Sequence, residues 1–159
     1  MDYVNVIMLQ YKAALEMLKQ TVIKCPATLW NSPDDKAAFW NVAYHTLFYT
    51  HLYVQDTVQD FVPWSKHRDD SQLIGQPSEA AQRAEPYDQD TVLEYLAFCQ
   101  HQLEERLPAM KLEDASGFEW LPFNKLTLHI YSIRHIQQHT GELMERLGSR
   151  AGIEIDWVG

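Results

Sequence analysis

The sequence predicts an all-α protein that folds as a four-helix bundle. Four long stretches carry apolar residues at three- and four-residue steps, which is typical of amphipathic helices. No stretch shows the strict alternation of apolar and polar residues that marks a half-buried strand. Helices of this length in a 159-residue chain, 46% of it hydrophobic, most simply pack as one bundle around one core. We therefore expect a single domain over residues 1–159.

The first two helices are predicted over about residues 2–23 and 34–60. Apolar residues recur along one face of the first helix, and Pro26 lies just beyond its end. The second follows a stretch that combines a capping side chain, a proline suited to a first helical turn and two acidic residues, Asn31-Ser32-Pro33-Asp34-Asp35. This helix should close near Pro63.

The last two helices have their own start and stop signals. Asp88 or Asp90 can cap the third helix, and Pro108 stops it. The fourth is predicted to run from about residue 124 to 147, with an asparagine at its start and Gly148 as its carboxyl cap.

A long polar connection separates the second helix from the third. Residues 64–89 contain Gly75, Pro77 and Pro86 and are too many for a tight turn between antiparallel neighbours. The connection could span the bundle as a crossover. Two interpretations stay open, a functional lid or a mobile surface segment.

Composition limits the possible partners. Thirteen Lys and Arg against 22 Asp and Glu give a net charge of -9, which repels nucleic acid. The apolar runs are far shorter than the roughly 18 to 20 residues of a membrane span, and the amino terminus lacks a signal-type pattern. Cys25 and Cys99 lie in apolar settings that favour reduced thiols. We expect a soluble, cytoplasmic protein that binds neither nucleic acid nor membrane.

Two histidines stand four residues apart in the last predicted helix. His135 and His139 share one face at the edge of the apolar stripe, and an i, i+4 pair can chelate a single metal ion. Two hydrogen-bonded or solvated histidines on a helix flank would show the same spacing. A third ligand decides between these alternatives, because catalytic zinc-type sites use three protein ligands and keep one position open.

His45 is the candidate third ligand. Its helix is among the most aromatic parts of the chain, with Phe39, Trp40, Tyr44, Phe48, Tyr49 and Tyr53 around it. An imidazole in such surroundings is at least partly buried and needs a partner. That partner is either another protein group or a metal ion.

The other four histidines are expected to serve different purposes. His51 points some 240° around the helix from His45 and cannot share its site. His129 falls in the core stripe, where a hydrogen-bonded core histidine is the simpler interpretation. His67 and His101 are expected to be solvated.

These features together resemble a known family. His45 in the aromatic helix is followed some 90 residues later by RHIQQHTGEL, residues 134–143. FEWLPF, residues 118–123, precedes the last helix, and the tail carries Trp157. Over nearly the whole chain this pattern is similar to that of the DinB-like superfamily of small metalloproteins, whose last helix carries Arg-His-x-x-x-His-x-Gly-Glu/Gln-Leu.

The resemblance implies a fold and a metal site without fixing one reaction. It implies an up-down-down-up bundle with a crossover between the second and third helices, and homodimers are frequent in the family. Carried over by position, it makes His45, His135 and His139 a three-histidine metal site. Relatives include thiol-dependent S-transferases and isomerases that use bacillithiol, mycothiol or glutathione, while others have no known activity.

The chemistry of such a site can be argued from its ligands. Three neutral imidazoles leave a divalent metal uncompensated, so an open position would stabilise an anion such as hydroxide or thiolate. Zinc or nickel is the expected metal, and iron or manganese could also occupy the site. A low-molecular-weight thiol is then a possible co-substrate, with a small electrophilic molecule as the substrate.

Three further side chains could orient a ligand or act in catalysis. Tyr49 stands one turn from His45, and Tyr131 and Glu142 stand one turn on either side of the histidine pair. Ordinary packing or a solvated position is the open alternative for each. Gly141 is expected to permit close approach of a neighbouring helix.

Two hypotheses of different class follow. The first is a metal-dependent, thiol-using S-transferase of small electrophilic molecules with a labile fourth metal position. The second is a non-catalytic, stress-associated metal-binding protein, in which the metal only ties the second helix to the fourth. A carboxylate-bridged di-iron bundle needs two Glu-x-x-His motifs, and the sequence contains none.

Overall fold

The computed structural model describes residues 2–75 and 85–159, and the all-α prediction is confirmed. No β-strand occurs in these two segments, where Ala115 and Asn124 form only an isolated bridge. Short 3₁₀ turns follow the third and fourth helices. Within the described segments there are five α-helices, α1 (Tyr3–Lys24), α2 (Ala27–Trp30), α3 (Phe39–Tyr53), α4 (Gln89–Arg106) and α5 (Lys125–Ala151).

The four longer helices pack in a ring, in which α1 and α3 each contact both α4 and α5. Residue numbers rise together along α1 and α5, so these two helices are parallel. They run in opposite senses along α3 and α5, and along α1 and α4, so those pairs are antiparallel. For α1 and α5, the contacts that show this are Tyr11 with His129 and Met17 with Gln137. For α3 and α5, they are His45 with His135 and Tyr53 with Tyr131. For α1 and α4, they are Lys12 with Glu104 and Val22 with Gln89.

The predicted starts of three helices are confirmed by their caps. Asp2 accepts a hydrogen bond from the Asn5 amide at the start of α1. The Asp88 carboxylate accepts one from the Thr91 amide, and Asn124 caps α5 in the same way. Each cap satisfies an amide that the first helical turn leaves without a partner. The apolar faces that follow are buried in a common core.

The predicted second helix over 34–60 is wrong at both ends, since α3 begins at Phe39 and ends at Tyr53. The polar residues before it make tertiary contacts instead of capping a helix. Asn31 Oδ1 accepts a hydrogen bond from Trp40 Nε1, and the Asp35 carboxylate pairs with arginines of α5. The short helix α2 was not predicted.

The predicted carboxyl cap at Gly148 is also wrong. Gly148 lies inside α5, which ends at Ala151. Gly152 is the actual cap, with a φ of 65° in the left-handed region that glycine adopts without steric cost.

The long connection over 64–89 includes residues 76–84, which lie outside the described residues. Its described parts pack on α3. Asn41 donates to the Ser71 carbonyl oxygen, and the Tyr87 ring stacks on Tyr44. None of the helices described is both long and apolar enough to cross a membrane.

Candidate metal centre

Three histidines from two helices meet at one point, as the sequence predicted. His45 comes from the middle of α3, and His135 and His139 come from successive turns of α5. One nitrogen of each ring lies within 4.8 Å of the other two, which is close enough to hold a metal ion. The two ring atoms His45 Nε2 and His135 Nε2 are 3.1 Å apart.

The antiparallel packing of α3 and α5 brings the three rings together. The His45 ring centroid lies 5.0 Å from that of His135 and 4.9 Å from that of His139. His139 is buried, whereas His45 and His135 are partly exposed. The cluster therefore lies at the edge of the core, where two of its three residues are partly exposed.

Hydrogen bonds behind two of the rings fix their tautomers. His45 Nδ1 lies 2.7 Å from the carbonyl oxygen of Gln72, which can only accept, so Nδ1 carries the proton. His139 Nδ1 lies 3.2 Å from Glu142 Oε2, and a carboxylate also accepts. Both rings therefore present the Nε2 lone pair, which is the arrangement that outer hydrogen-bond partners impose on metal-binding histidines.

His45 and His135 are neutral at ordinary pH, as metal ligands must be. Burial lowers the pKa of His45 to about 4, and burial together with the two neighbouring imidazoles lowers the pKa of His135 to about 3. Zinc–nitrogen bonds in a tetrahedral site place neighbouring ligand nitrogens about 3.3 Å apart. The 3.1 Å separation of His45 Nε2 and His135 Nε2 agrees with that spacing. Because all three ligand atoms lie within 4.8 Å of one another, the three residues could hold a divalent metal.

The predicted neighbours of the site take different positions. The Tyr49 ring lies 4.8 Å from the His45 ring and 5.7 Å from the His135 ring, so it borders two of the three clustered histidines. Glu142 contacts His139, as described above. The Tyr131 ring packs on the rings of Tyr53 and Phe123.

A polar depression opens beside His135. It has a volume of about 450 Å³ and is lined by residues of α5 alone, Tyr131, Arg134, His135, Gln137 and Gln138. Because His135 belongs to both, a molecule in this depression would lie next to the histidine cluster.

The prediction for Gly141 is wrong, since a side chain added there would meet no other atom within 4 Å.

The remaining histidines stand apart from the cluster. His51 and His129 are buried and contact the hydroxyls of Tyr95 and Tyr11, as expected of core histidines. His101 is exposed, as predicted. His67 is not simply solvated, because its ring is partly buried and its Nδ1 lies 2.8 Å from the Tyr44 hydroxyl.

Two groups behind the clustered histidines were not predicted, the Gln72 carbonyl that faces His45 and the Arg146 side chain that pairs with Glu142. The Gln72 carbonyl is a backbone group, so no residue type announces it. Arg146 pairs with Glu142, and the only sequence signal for this contact is the i, i+4 spacing of opposite charges on one helix.

The chain was compared with protein-family models, curated proteins and solved structures. No family model matches the chain, and neither curated proteins nor solved structures give a match. The support for the candidate metal centre is therefore the geometry of the three rings and their hydrogen-bond partners.

Proposed function

We propose that this chain is a DinB-like metalloenzyme, a thiol-dependent S-transferase that acts on small electrophilic molecules at a three-histidine metal site. The observation that carries the proposal is the convergence of three imidazoles, two of them held by outer partners so that Nε2 faces the centre. Three protein ligands leave a further position for a substrate. A homodimer in the cytoplasm is part of the same proposal.

The helix packing supports the fold part of the proposal. Taking α1 as up, α3 and α4 run down and α5 runs up, which corresponds to an up-down-down-up four-helix bundle. Two parallel neighbours in the middle of the chain need a connection that returns over their length. The proposal assigns this connection to the long segment between α3 and α4.

A divalent metal bound by three neutral imidazoles keeps its full charge, so it favours the thiolate form of a bound thiol near neutral pH. His45, His135 and His139 would hold that metal. In the transfer, the sulfur forms a bond to the electrophilic carbon. The leaving group departs with the electron pair of its broken bond, and the thiol proton passes to solvent.

Residues around the cluster would supply binding contacts and a hydrogen-bond donor. Burial raises the pKa of Tyr49, so its phenol stays protonated and can donate a hydrogen bond to a substrate at the site. The depression beside His135 offers the Arg134 guanidinium and the Gln138 amide to polar groups of a thiol or an electrophile.

Turnover measurements on the metal-loaded protein test the reaction. Glutathione, bacillithiol and mycothiol should each be offered with a chromogenic electrophile, and at least one should be consumed faster than in the protein-free control. The His135→Ala variant should lose this activity, whereas His101→Ala, which changes an exposed histidine of α4, should keep it. Equal rates in both variants would reject a reaction at this site.

One observation favours the non-catalytic alternative, namely that His139 is buried. A metal bound there would lie between α3 and α5 and would hold these two helices together. Chelation followed by thermal melting separates the alternatives. A structural metal should be needed for folding, whereas the proposed enzyme should stay helical without it.

A further inference from the structure

Behind the metal centre, the hydrogen bonds continue from Glu142 to an arginine. Glu142 Oε2 faces His139, and its other oxygen, Oε1, pairs with the guanidinium of Arg146. Arg146 also donates to the Ala37 carbonyl oxygen at 2.8 Å and lies 3.6 Å from Asp35 Oδ2. One planar side chain therefore connects the segment before α3 with the carboxylate that faces a metal ligand.

We infer that Arg146 is a positioning residue, whose guanidinium holds Glu142 and thereby orients the His139 ring for metal binding. The inference rests on the proposed metal site. Metal affinity should then depend on an arginine that does not itself contact the metal.

Differences in exposure support this inference. The Glu142 side chain is 40% exposed, so solvent competes for its carboxylate. The side chains of Arg146 and Asp35 are only 14% and 13% exposed. The rigid fork of a guanidinium loses little freedom when it binds several acceptors, so a buried arginine can fix a partly exposed carboxylate. With Arg146 removed, Glu142 would be free to turn to water and His139 would lose its orienting acceptor.

A neighbouring arginine provides a matched control. Arg150 lies one turn further along α5 and donates to Asp35 Oδ1 at 2.8 Å and to Ser32 Oγ at 2.9 Å. Like Arg146 it fastens the segment before α3, but it makes no contact with Glu142 within the described parts of the chain. A purely structural effect should appear in both arginine variants.

The test is the affinity of the full-length protein for Zn²⁺, measured by competition with a chromogenic chelator. Glu142→Ala is expected to weaken binding by about 10- to 100-fold, the usual effect of losing an outer hydrogen-bond partner. Arg146→Gln should weaken binding at least several-fold, and Arg150→Gln should leave it unchanged. In the Glu142→Ala background, Arg146→Gln should have no additional effect, because Arg146 acts only through Glu142.

Circular dichroism and thermal melting of the metal-free variants check that each one folds. If Arg146→Gln does not fold, Arg146→Lys decides, since one ammonium cannot serve Glu142 and Ala37 with the geometry of a fork, and a several-fold loss is expected. The inference would be overturned if the folded Arg146 variant bound Zn²⁺ with wild-type affinity. It would also be overturned if Arg150→Gln lost as much Zn²⁺ affinity as the Arg146 variant, or if the losses of the Glu142 and Arg146 variants added up in the double variant. Failure of the wild-type protein to bind Zn²⁺ would instead reject the proposed function, and this inference with it.

Discussion

Metal binding should raise the thermal stability of this protein. His45 lies 90 residues before His135 in the chain, so only the folded state assembles the three ligands. A ligand that binds only the folded state at 100 times its dissociation constant stabilises that state by about 2.7 kcal/mol. For a chain of this length, 1 kcal/mol moves Tm by roughly 2–4 °C. The expected rise is therefore about 5–11 °C.

Differential scanning fluorimetry with excess Zn²⁺ or excess chelator measures this shift. His135→Ala should abolish most of it, because two remaining imidazoles bind the metal much more weakly. His101→Ala should preserve it. The reasoning would be refuted by an equal shift in wild type and His135→Ala, which would place the stabilising metal elsewhere.

Acid should weaken the fold, because burial lowers the pKa of both His51 and His129 to about 4, while unfolded histidines titrate near 6.5. The unfolded state therefore binds protons first, and each group should remove up to about 1.4 kcal/mol at pH 5.5. Urea unfolding of the protein in the presence of a chelator should show a lower midpoint at pH 5.5 than at pH 7.5. Equal midpoints would contradict the lowered pKa values of the two histidines. Gly117→Ala should destabilise by at least about 1–3 kcal/mol, because its Cβ would lie 2.0 Å from the Asp56 carbonyl oxygen at a φ of +86°. Gly148→Ala, within α5 and with no atom near its added Cβ, should instead stabilise by about 1 kcal/mol, and urea midpoints that reverse this order would show that the steric argument fails.

Local patterns were sufficient to predict most of the helices and the histidine pair of the last helix. Helix periodicity is a property of neighbouring residues, and the Asp88 and Asn124 side chains cap the amides three residues ahead of them. The spacing of His135 and His139 places both on one helical face in the same way. The aromatic surroundings of His45 made it a candidate ligand, and the resemblance to the DinB-like superfamily joined it to the pair.

Long-range partners explain where the predictions were wrong. Asn31 and Asp35 have the chemistry of a helix start, but Trp40 Nε1 and two arginines of α5 bind them instead. His67 has the polar surroundings of a solvated residue, yet it contacts the Tyr44 hydroxyl, 23 positions earlier. Local sequence does not contain these partners, because only the packing of distant segments supplies them.

The hydrogen-bond partners behind the clustered histidines could not be predicted from the sequence, for the same reason. His45 is oriented by the Gln72 carbonyl, 27 residues away, and Arg146 binds the Ala37 carbonyl, 109 residues away. Every residue offers a carbonyl oxygen, so neither pairing has a sequence signature. Such contacts determine how the rings are held, and only three-dimensional packing defines them.

X-ray absorption spectroscopy of the Zn²⁺-loaded protein is the decisive test of the three-histidine site, because it counts the imidazoles bound to the metal. We expect three histidine nitrogens at about 2.0–2.1 Å and one further oxygen ligand from solvent. Addition of a thiol should replace that oxygen by sulfur at about 2.3 Å while all three imidazoles remain. Fewer than three imidazoles, or a cysteine sulfur before any thiol is added, would show that the metal is not bound by His45, His135 and His139.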